Sequence, residues 1–525
     1  MPSMMSRPSV RGGDWEAVRS PFVGGKVVNF FVILSFVVLA VVSAVLISMG
    51  FFQILIVPLG FVACIFFAAY IGRDQAESKF RRLAILSCLL YIISSIVWPR
   101  YVAVWLPGLP SINVQRIAGV LFVAMVLWGA VASRWFRAEV GWSMRSHRVF
   151  WIFLMLFVLF RTVSAAGSEN VASSAYQLVN EMVVHVIAVL LGVILGSDWR
   201  LSKLFMKIVS VGFVVCFFVA IVEFYIGRNV FSSFVDPSNA YVQWALSEKA
   251  RGGSYRVQST FGHPLTFAEF ASVGAGASIF IASQWKKSLF RWFGGAVFGV
   301  MGIAMVIFAG SRAGYGAVAV VASLLVVAPL ANAIFRKRLS LTASVGWCFA
   351  LIAICTALSF TAMLVYDYAF GEKAYSASNS ARAIMLERGV AKTMDSPILG
   401  YGVGMAADLV GTPSGTGVSN YTVDSLYISY MVDSGFFAVM LFFAMSVSIV
   451  FGAFRLAFVG GSDYWLFWFV VGAAVLSMLI FKLVLSLHDN NYILFSLMGL
   501  TVARISGSRD EFNRPPATSK PALMA

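Results

Sequence analysis

Charged side chains are scarce in this sequence. Only 12% of its 525 residues are Asp, Glu, Lys or Arg, against roughly 25% in soluble domains, and 60% are hydrophobic. The mean hydropathy is +0.86. This composition excludes a soluble globular protein. It predicts an all-α polytopic membrane protein, because long apolar helices are what spans a bilayer.

Cysteine is also rare, and its placement excludes two further classes of site. The sequence contains five cysteines, all within apolar runs and without the spacing of metal ligands. A buried thiol packs there as a small hydrophobic side chain. No cluster of carboxylates resembling a metal cage is visible either. We therefore predict no disulfide framework, no metal site and no cofactor; the cysteines are Cys64, Cys88, Cys216, Cys348 and Cys355.

Apolar runs long enough to cross a bilayer are what the sequence has in abundance. A window of about 19 residues finds about fourteen of them, which predicts about fourteen transmembrane helices. The runs lie near 27–49, 51–71, 83–98, 114–132, 149–163, 180–197, 204–224, 263–283, 292–309, 314–333, 341–365, 425–454, 464–486 and 490–504.

The segments between the runs alternate in charge, which predicts the orientation of the chain. Basic linkers belong on the cytoplasmic side, and both termini fall on that side with them. The net charge of +16 is thus a topology signal and an attraction to anionic lipids, and it does not indicate nucleic-acid binding. The basic linkers are residues 73–82, 133–148, 198–207, 284–291 and 335–340.

This orientation divides the chain into seven predicted regions. Two linking segments are long, and the alternation places both outside the cytoplasm. The regions are a cytoplasmic tail (1–26), about seven transmembrane helices (27–224), a first long loop (225–262), helices eight to eleven (263–365), a second long loop (366–424), three helices (425–504) and a cytoplasmic tail (505–525).

The polar residues that are candidates for binding or catalysis are predicted to lie on the face that carries the two long loops. Ser311 and Arg312 interrupt two apolar runs there, His263 opens the eighth run, and residues 487–491 form a short polar turn. A transporter would instead place ionisable groups near the midplane. The mid-span candidates are few: Glu181, His185, Glu223, Glu269 and Lys482.

The first long loop ends in a stretch suited to bind an anion. Arg251 and Arg256 precede a predicted helix start at which Thr260 or His263 is the cap and Pro264 lies in the first turn. A helix N-terminus beside arginines is a ready anion site.

The second long loop contains a predicted amphipathic helix at the membrane surface, over residues 381–394. Ser380 is its expected cap, and Pro397 lies past its end. Its basic face comprises Arg382, Arg388 and Lys392. Three glycines follow that allow tight turns and close approach to a ligand: Gly400, Gly402 and Gly404.

Together these stretches resemble the O-antigen ligase and O-antigen or exopolysaccharide polymerase superfamily of bacterial inner membranes. The resemblance rests on SRAG at 311–314, on RVQSTFGHPLTFA at 256–268, and on the second long loop. That loop reads S-A-R at 380–382, SPILGYGVG at 396–404 and VDSLYISYMVDSG at 423–435. Family members commonly read there an Arg, a P-x-x-G-x-G, and a His-Asn-x-Tyr followed by a late Gly. The resemblance covers roughly residues 200–455.

The resemblance implies a fold related to the C-type membrane glycosyltransferases and a glycan on a polyprenyl diphosphate as donor and acceptor. It implies bilayer lipids as surroundings, neither a nucleotide sugar nor an obligatory metal, and a protein that sets chain length as a further partner. The location implied is the bacterial inner membrane, with the active face in the periplasm.

The resemblance and the chemistry together suggest roles for the polar residues. Arg256, Arg312 and Arg382 would bind the diphosphate, because the guanidinium matches phosphate oxygens. Asp424 occupies the position of the family's His and would accept the proton of the attacking hydroxyl, and Tyr427 is retained. The remaining substrate-binding candidates are Arg251, His263, Ser311, Arg388, His488 and Asp489, of which His263 and the His488–Asp489 pair are alternative proton acceptors.

Structural roles are the alternatives for these residues. Arg312 would anchor two helix ends at the interface, the other arginines would be solvated, and Asp424 would cap the next helix. Three functions stay open. They are a polymerase of lipid-linked repeats, which the missing His favours, a ligase that transfers finished glycan to an acceptor lipid, and a flippase or other transporter.

Overall fold

The computed structural model of the protein describes residues 73–104, 112–235, 242, 245–246, 255–318, 321, 372–413, 421–459 and 464–512. These residues are mostly helical. The helices are α1 (Arg73–Val97), α2 (Val114–Ala132), α3 (Arg134–Ser146), α4 (Arg148–Ala166), α5 (Val171–Gly196), α6 (Trp199–Ile226), α7 (Pro264–Ser283), α8 (Ser288–Ala309), α9 (Glu372–Asp395), α10 (Ala406–Val410), α11 (Leu426–Val459), α12 (Trp465–Phe481) and α13 (Asn491–Phe512). A 3-10 helix covers Val230–Phe234, and Thr412–Pro413 pairs antiparallel with Tyr421–Thr422.

The helices confirm the predicted class, an all-α polytopic membrane protein. In the described residues, eight helices are long and apolar enough to cross a membrane, and two apolar helices are shorter, Trp465–Phe481 and Asn491–Ile505. Predicted runs that fall on described residues are helical over most of their length, although the run 464–486 leaves the helix after Phe481. The runs near 27–49 and 51–71 lie outside the described residues, as do most of 314–333 and all of 341–365.

Polar caps set the ends of several helices. The Asn113 side chain accepts the Arg116 amide at 2.8 Å and starts α2, and Asp198 accepts the Arg200 amide at 2.8 Å at the start of α6. Gly227 ends α6 in the left-handed conformation, at φ +68°. The basic linker at 133–148 is itself mostly the short helix α3, whose cap is Ser133.

Helices α5 and α13 pack closely because glycine lines their contact. A Cβ on Gly192 would overlap the Ser496 carbonyl oxygen and lie 2.7 Å from the Leu500 backbone nitrogen. Gly499 in turn faces the backbone of Val189. Small residues let helix backbones approach in this way within a bilayer. The contact brings the start of α13 against the middle of α5.

Helix α11 is interrupted one quarter of the way along. Ser434 and Gly435 have non-helical dihedral angles, with Gly435 at φ +77° and ψ 177°. The Phe436 amide after the break donates to the Pro397 carbonyl oxygen at 2.9 Å. A segment from the second long loop therefore fills the gap in the helical hydrogen bonds.

The amphipathic helix of the second long loop is longer than the sequence indicates. Helix α9 begins at Glu372, so Ser380 lies inside it and the prediction of Ser380 as its cap is wrong. The helix ends at Asp395, two residues before Pro397, as expected. Its buried residues Met385 and Gly389 face α11, while Leu386 and Met394 are exposed. The predicted start was too late, because residues 372–380 are mostly polar and give no apolar pattern that would mark them as helical.

Candidate active site

Two of the predicted arginines lie at the end of α8. The Val257 amide donates to the Phe308 carbonyl oxygen at 3.0 Å, so the segment before α7 runs beside the last turn of α8. Arg256, 9% exposed, donates from Nε to the Ala309 carbonyl oxygen at 2.8 Å. Gly310 then turns the chain at φ +55°, and Arg312 begins the next helical stretch two residues later. The guanidinium of Arg256 thus lies at the junction that presents Arg312.

Ser311 has a structural contact at this junction. Its hydroxyl accepts the Gly314 amide at 3.1 Å, and its side chain is fully buried. This is the geometry of an N-cap. Ser311 therefore fixes the direction in which the helical stretch 312–318 leaves α8.

Glu223 shapes the segment that carries Arg256. Its carboxylate accepts the Gln258 amide at 3.0 Å, the Ser259 amide at 2.8 Å and the Tyr255 hydroxyl at 2.7 Å. Ser259 adopts φ +53°, a conformation that costs free energy outside glycine. The buried carboxylate of α6 holds this turn in place and so positions Arg256.

His263 caps α7, which settles one of the alternatives for the helix start. Its Nδ1 accepts the Leu265 amide at 3.1 Å, and Pro264 follows at the first helical position. Thr260 instead donates its hydroxyl to the Ile96 carbonyl oxygen at 2.7 Å. Because Nδ1 uses its lone pair, the neutral imidazole carries its proton on Nε2. A proton on Nε2 suits a hydrogen-bond donor and not a general base.

A third predicted arginine pairs with the predicted base. Arg382 Nε lies 3.6 Å from Asp424 Oδ2, and the two side chains are 28% and 38% exposed. Asp424 also donates its amide to the sulfur of Met385 on α9 at 3.4 Å. The cap of α11 is Ser425, whose hydroxyl accepts the Ile428 amide at 3.5 Å. Asp424 therefore precedes the cap, and its carboxylate faces a cation.

The turn between α12 and α13 joins these parts of the site. The Leu426 amide donates to the Lys482 carbonyl oxygen at 3.0 Å, and Ser486 donates to the Val423 carbonyl oxygen, so the turn packs against the start of α11. Asn490 donates to the Thr266 carbonyl oxygen at 2.8 Å, which ties the same turn to the start of α7.

Further contacts place Asp489 and Tyr427 on or beside this turn. Asp489 pairs with Arg100 at 2.6 Å, and both line a small cleft with Thr260, Phe261 and Gly262. The Tyr427 hydroxyl donates to the Leu479 carbonyl oxygen at 3.1 Å. Arg388 is exposed on α9, and Arg251 lies outside the described residues.

His488 is a weak proton acceptor in this environment. Burial, together with the positive charges of Lys482 and Arg161, lowers the pKa of His488 to about 3. Its Nδ1 lies 2.9 Å from the Asn491 side-chain nitrogen, and its Nε2 lies 3.8 Å from Glu181. The ring is therefore neutral at physiological pH, and both of its nitrogens face protein groups.

The glycines after α9 contact the protein itself, which differs from the approach to a ligand that the sequence suggests. We call residues 400–406 the glycine segment. A Cβ on Gly400 would overlap the backbone of Asp433, and one on Gly402 would overlap the Ser168 side chain. All three glycines have positive φ values, of +65°, +113° and +86°. They let the glycine segment fit between α11 and the end of α4.

Three buried ion pairs, centred on Lys482 and on Arg161, were not predicted from the sequence. Lys482 pairs with Glu269 at 3.0 Å, and both are fully buried. Arg161 on α4 pairs with Glu181 and lies 3.6 Å from Asp433. Arg161 was missed although it carried a usable signal, since an arginine inside an apolar run indicates a buried partner or a functional site.

Comparison with known proteins gives a family match to one part of the chain. Residues 297–443 match the model of the O-antigen ligase family. The match contains Arg312, Arg382, Asp424 and Tyr427, whereas Arg256 lies before it. A comparison with curated proteins gives no match. This match confirms the resemblance to the O-antigen ligase and polymerase superfamily, and the chain is a polytopic membrane protein in which residues 297–443 match the O-antigen ligase family.

Proposed function

We propose that this protein is a polymerase that joins oligosaccharide repeats carried on a polyprenyl diphosphate. The reaction takes place at the periplasmic face of a bacterial inner membrane, and the product is an O-antigen, a capsule or an exopolysaccharide. The family supports a role in glycan assembly from lipid-linked substrates. In this proposal the segments 225–262 and 366–424 lie in the periplasm, both termini lie in the cytoplasm, and a further protein sets chain length.

The observation that carries the proposal is the pairing of Arg382 with Asp424 inside the O-antigen ligase domain. A reaction at a sugar diphosphate needs a cation for the leaving group and a base for the attacking hydroxyl. Arg382 and Asp424 supply one of each at a single point. The turn between α12 and α13 links this point to the start of α7, which follows the segment of Arg256.

The proposed reaction is a displacement at the anomeric carbon. The acceptor hydroxyl oxygen forms the new bond to that carbon, and the bond to the diphosphate oxygen breaks with its electron pair. The proton of the hydroxyl passes to Asp424, and the configuration at the carbon inverts. The charge that develops on the diphosphate is stabilised by Arg256, Arg312 and Arg382, because one guanidinium can donate two parallel hydrogen bonds to phosphate oxygens. In this scheme the arginines take the place of a metal ion.

Asp424 is the base that the geometry favours. His263 uses Nδ1 as a cap, and His488 has both ring nitrogens directed at protein groups. The carboxylate of Asp424 is partly exposed, and its partner Arg382 is a group that an incoming diphosphate would attract. Binding of the donor would draw Arg382 toward the phosphates and leave the carboxylate free to accept a proton.

A ligase is the second candidate, and the family match favours it directly. A ligase would transfer finished glycan to an acceptor lipid with the same groups. In favour of the polymerase, Asp424 and Ser425 stand where family members commonly have His and Asn. A flippase or other transporter is the third candidate, and glycan lengthening by the purified protein without a gradient would exclude it.

The experiment is mass spectrometry of polyprenyl-diphosphate glycans in a strain that lacks the protein. The strain is complemented with wild type, with Asp424→Ala, or with the control Asp395→Ala, which removes an exposed aspartate of α9 that pairs with Lys392. We expect single repeats to accumulate without the protein and with Asp424→Ala, and rescue by wild type and by the control. Long polymer retained on the carrier would identify a ligase. Rescue by Asp424→Ala at normal expression would exclude Asp424 as the base.

A further inference from the structure

A chain of buried polar groups runs beneath the candidate site, from the turn between α12 and α13 to the glycine segment. Each member contacts the next one, and the exposed fractions of Arg161, Glu181 and Asp433 are 0%, 4% and 3%. We call it the buried polar chain. Its members are His185, Asn491, His488, Glu181, Arg161 and Asp433.

Arg161 joins Glu181 to Asp433 within the buried polar chain. Its Nη2 pairs with Glu181 of α5, and its Nη1 lies 3.6 Å from Asp433 and donates to the Ser434 hydroxyl at 3.3 Å. The guanidinium also lies 4.5 Å from the centre of the Tyr430 ring. One cation thus serves two carboxylates from different helices. The planar fork of arginine makes this possible, and the single ammonium of lysine does not match it.

Asp433 connects Arg161 to the glycine segment. Its carboxylate accepts the Gly404 amide at 3.0 Å and the Ala406 amide at 2.8 Å. Its backbone carbonyl accepts the Gly402 amide at 2.9 Å, at the break in α11. Asp433 therefore accepts hydrogen bonds from three backbone amides of the glycine segment. Helix α9, which carries Arg382, leads into this segment after Asp395.

Glu181 connects Arg161 to the other side of the site. Its second oxygen lies 3.8 Å from Nε2 of His488, in the turn between α12 and α13. Asn491 bridges from His488 Nδ1, at 2.9 Å, to His185 Nε2 on α5, at 3.2 Å. The same turn contacts Val423 and Leu426, the residues on either side of Asp424 and Ser425.

We propose that Arg161 is a positioning residue that holds the glycine segment, and with it Arg382, in register with Asp424 and the turn that carries His488. Arg161 pairs with two carboxylates: Asp433, which accepts amides of the glycine segment, and Glu181, which lies 3.8 Å from the His488 ring. Removal of the guanidinium leaves two buried carboxylates without their cation, and they relax by moving or by taking up protons. The amides bound to Asp433 then lose their fixed acceptor. The site loses its register while the helices around it remain packed.

The test is hydrogen exchange on the full chain in lipid nanodiscs, with Arg161→Met and the milder Arg161→Lys. We expect the amides of the glycine segment to exchange at least tenfold faster in Arg161→Met, with a smaller increase in Arg161→Lys. The matched control is Lys482→Met, which breaks the other buried ion pair. It should loosen residues 482–490 and leave the glycine segment protected. If Arg161→Met does not fold, Asp433→Asn replaces it, because the amide keeps the size of the carboxylate and removes its charge.

Unchanged exchange of the glycine segment in folded Arg161 and Asp433 variants would overturn the inference. An equal increase in Lys482→Met would do the same, since it would show general loosening. Only the catalytic consequence of this inference rests on the proposed function. If the protein lengthens glycans, Arg161→Lys should lower kcat for that reaction at least tenfold and change KM less than threefold. If the wild type lengthens no glycan, the proposed function fails, and the exchange result still decides the role of Arg161.

Discussion

Replacement of Arg382 by alanine separates a catalytic role from a structural one. The pair with Asp424 has a separation of 3.6 Å and side chains that are 28% and 38% exposed. An ion pair with this exposure contributes less than about 1 kcal/mol to stability. Loss of a group that stabilises developing charge costs roughly 10²–10³ in rate, or about 2.7–4 kcal/mol of the activation free energy. Arg382→Ala should therefore fold normally and lengthen glycans at least a hundredfold more slowly.

The assay is glycan lengthening by purified protein in proteoliposomes that contain the lipid-linked repeat, with the midpoint of thermal unfolding measured on the same preparation. Lys392→Ala is the matched control. Lys392 lies on the same helix and pairs with Asp395 at 3.8 Å, with exposed fractions of 44% and 65%. Its loss should change neither quantity. A rate for Arg382→Ala within threefold of wild type would refute the assignment of Arg382 to the diphosphate.

Three further predictions concern packing, pH and capping. Gly192→Ala should lower the unfolding midpoint strongly, because its Cβ would overlap the backbone of Ser496. The control Gly299→Ala on α8, where no atom lies within 4 Å of the added Cβ, should leave the midpoint unchanged. Equal midpoints for the two variants would contradict the close contact. The depressed pKa of His488 stabilises the fold above the unfolded pKa of 6.5, and this stability is lost as pH falls toward 3. His488→Gln should therefore flatten the pH dependence of the midpoint between those values, and an unchanged slope would refute it. His263→Asn should keep both the cap of α7 and glycan output, while His263→Ala should cost about 0.5–2 kcal/mol of stability; loss of output in the Asn variant would indicate a chemical role.

The helices were the part of the fold that the sequence predicted well. An apolar run such as residues 114–132 has the length that a bilayer demands, and the polar cap Asn113 marks its start, so α2 has the predicted bounds. Helix α9 was predicted too short, because its first residues, 372–380, are mostly polar and carry no apolar periodicity to mark the beginning of the helix.

The site could be predicted in its residue types and not in its contacts. Arg382 and Asp424 were both expected at the site from the family resemblance, yet their pairing depends on how α9 packs on α11. Arg161 and Glu181 are 20 residues apart on different helices, and no local pattern in the sequence reports that they meet. The contacts of Gly402 with Ser168 are equally non-local, which is why the glycines were assigned to a ligand instead of to the protein.

The break at Ser434 and Gly435 has a consequence for how α11 fits a lipid bilayer. A continuous helix of 34 residues would be about 51 Å long, while the hydrocarbon core is only about 30 Å thick. The part after the break, from residue 436 to Val459, has the length of one crossing. The two turns before the break are therefore surplus to the crossing. These two turns are largely enclosed by protein, with Leu426, Tyr430 and Val432 fully buried, while the side chain of Asp424 just before them stays 38% exposed.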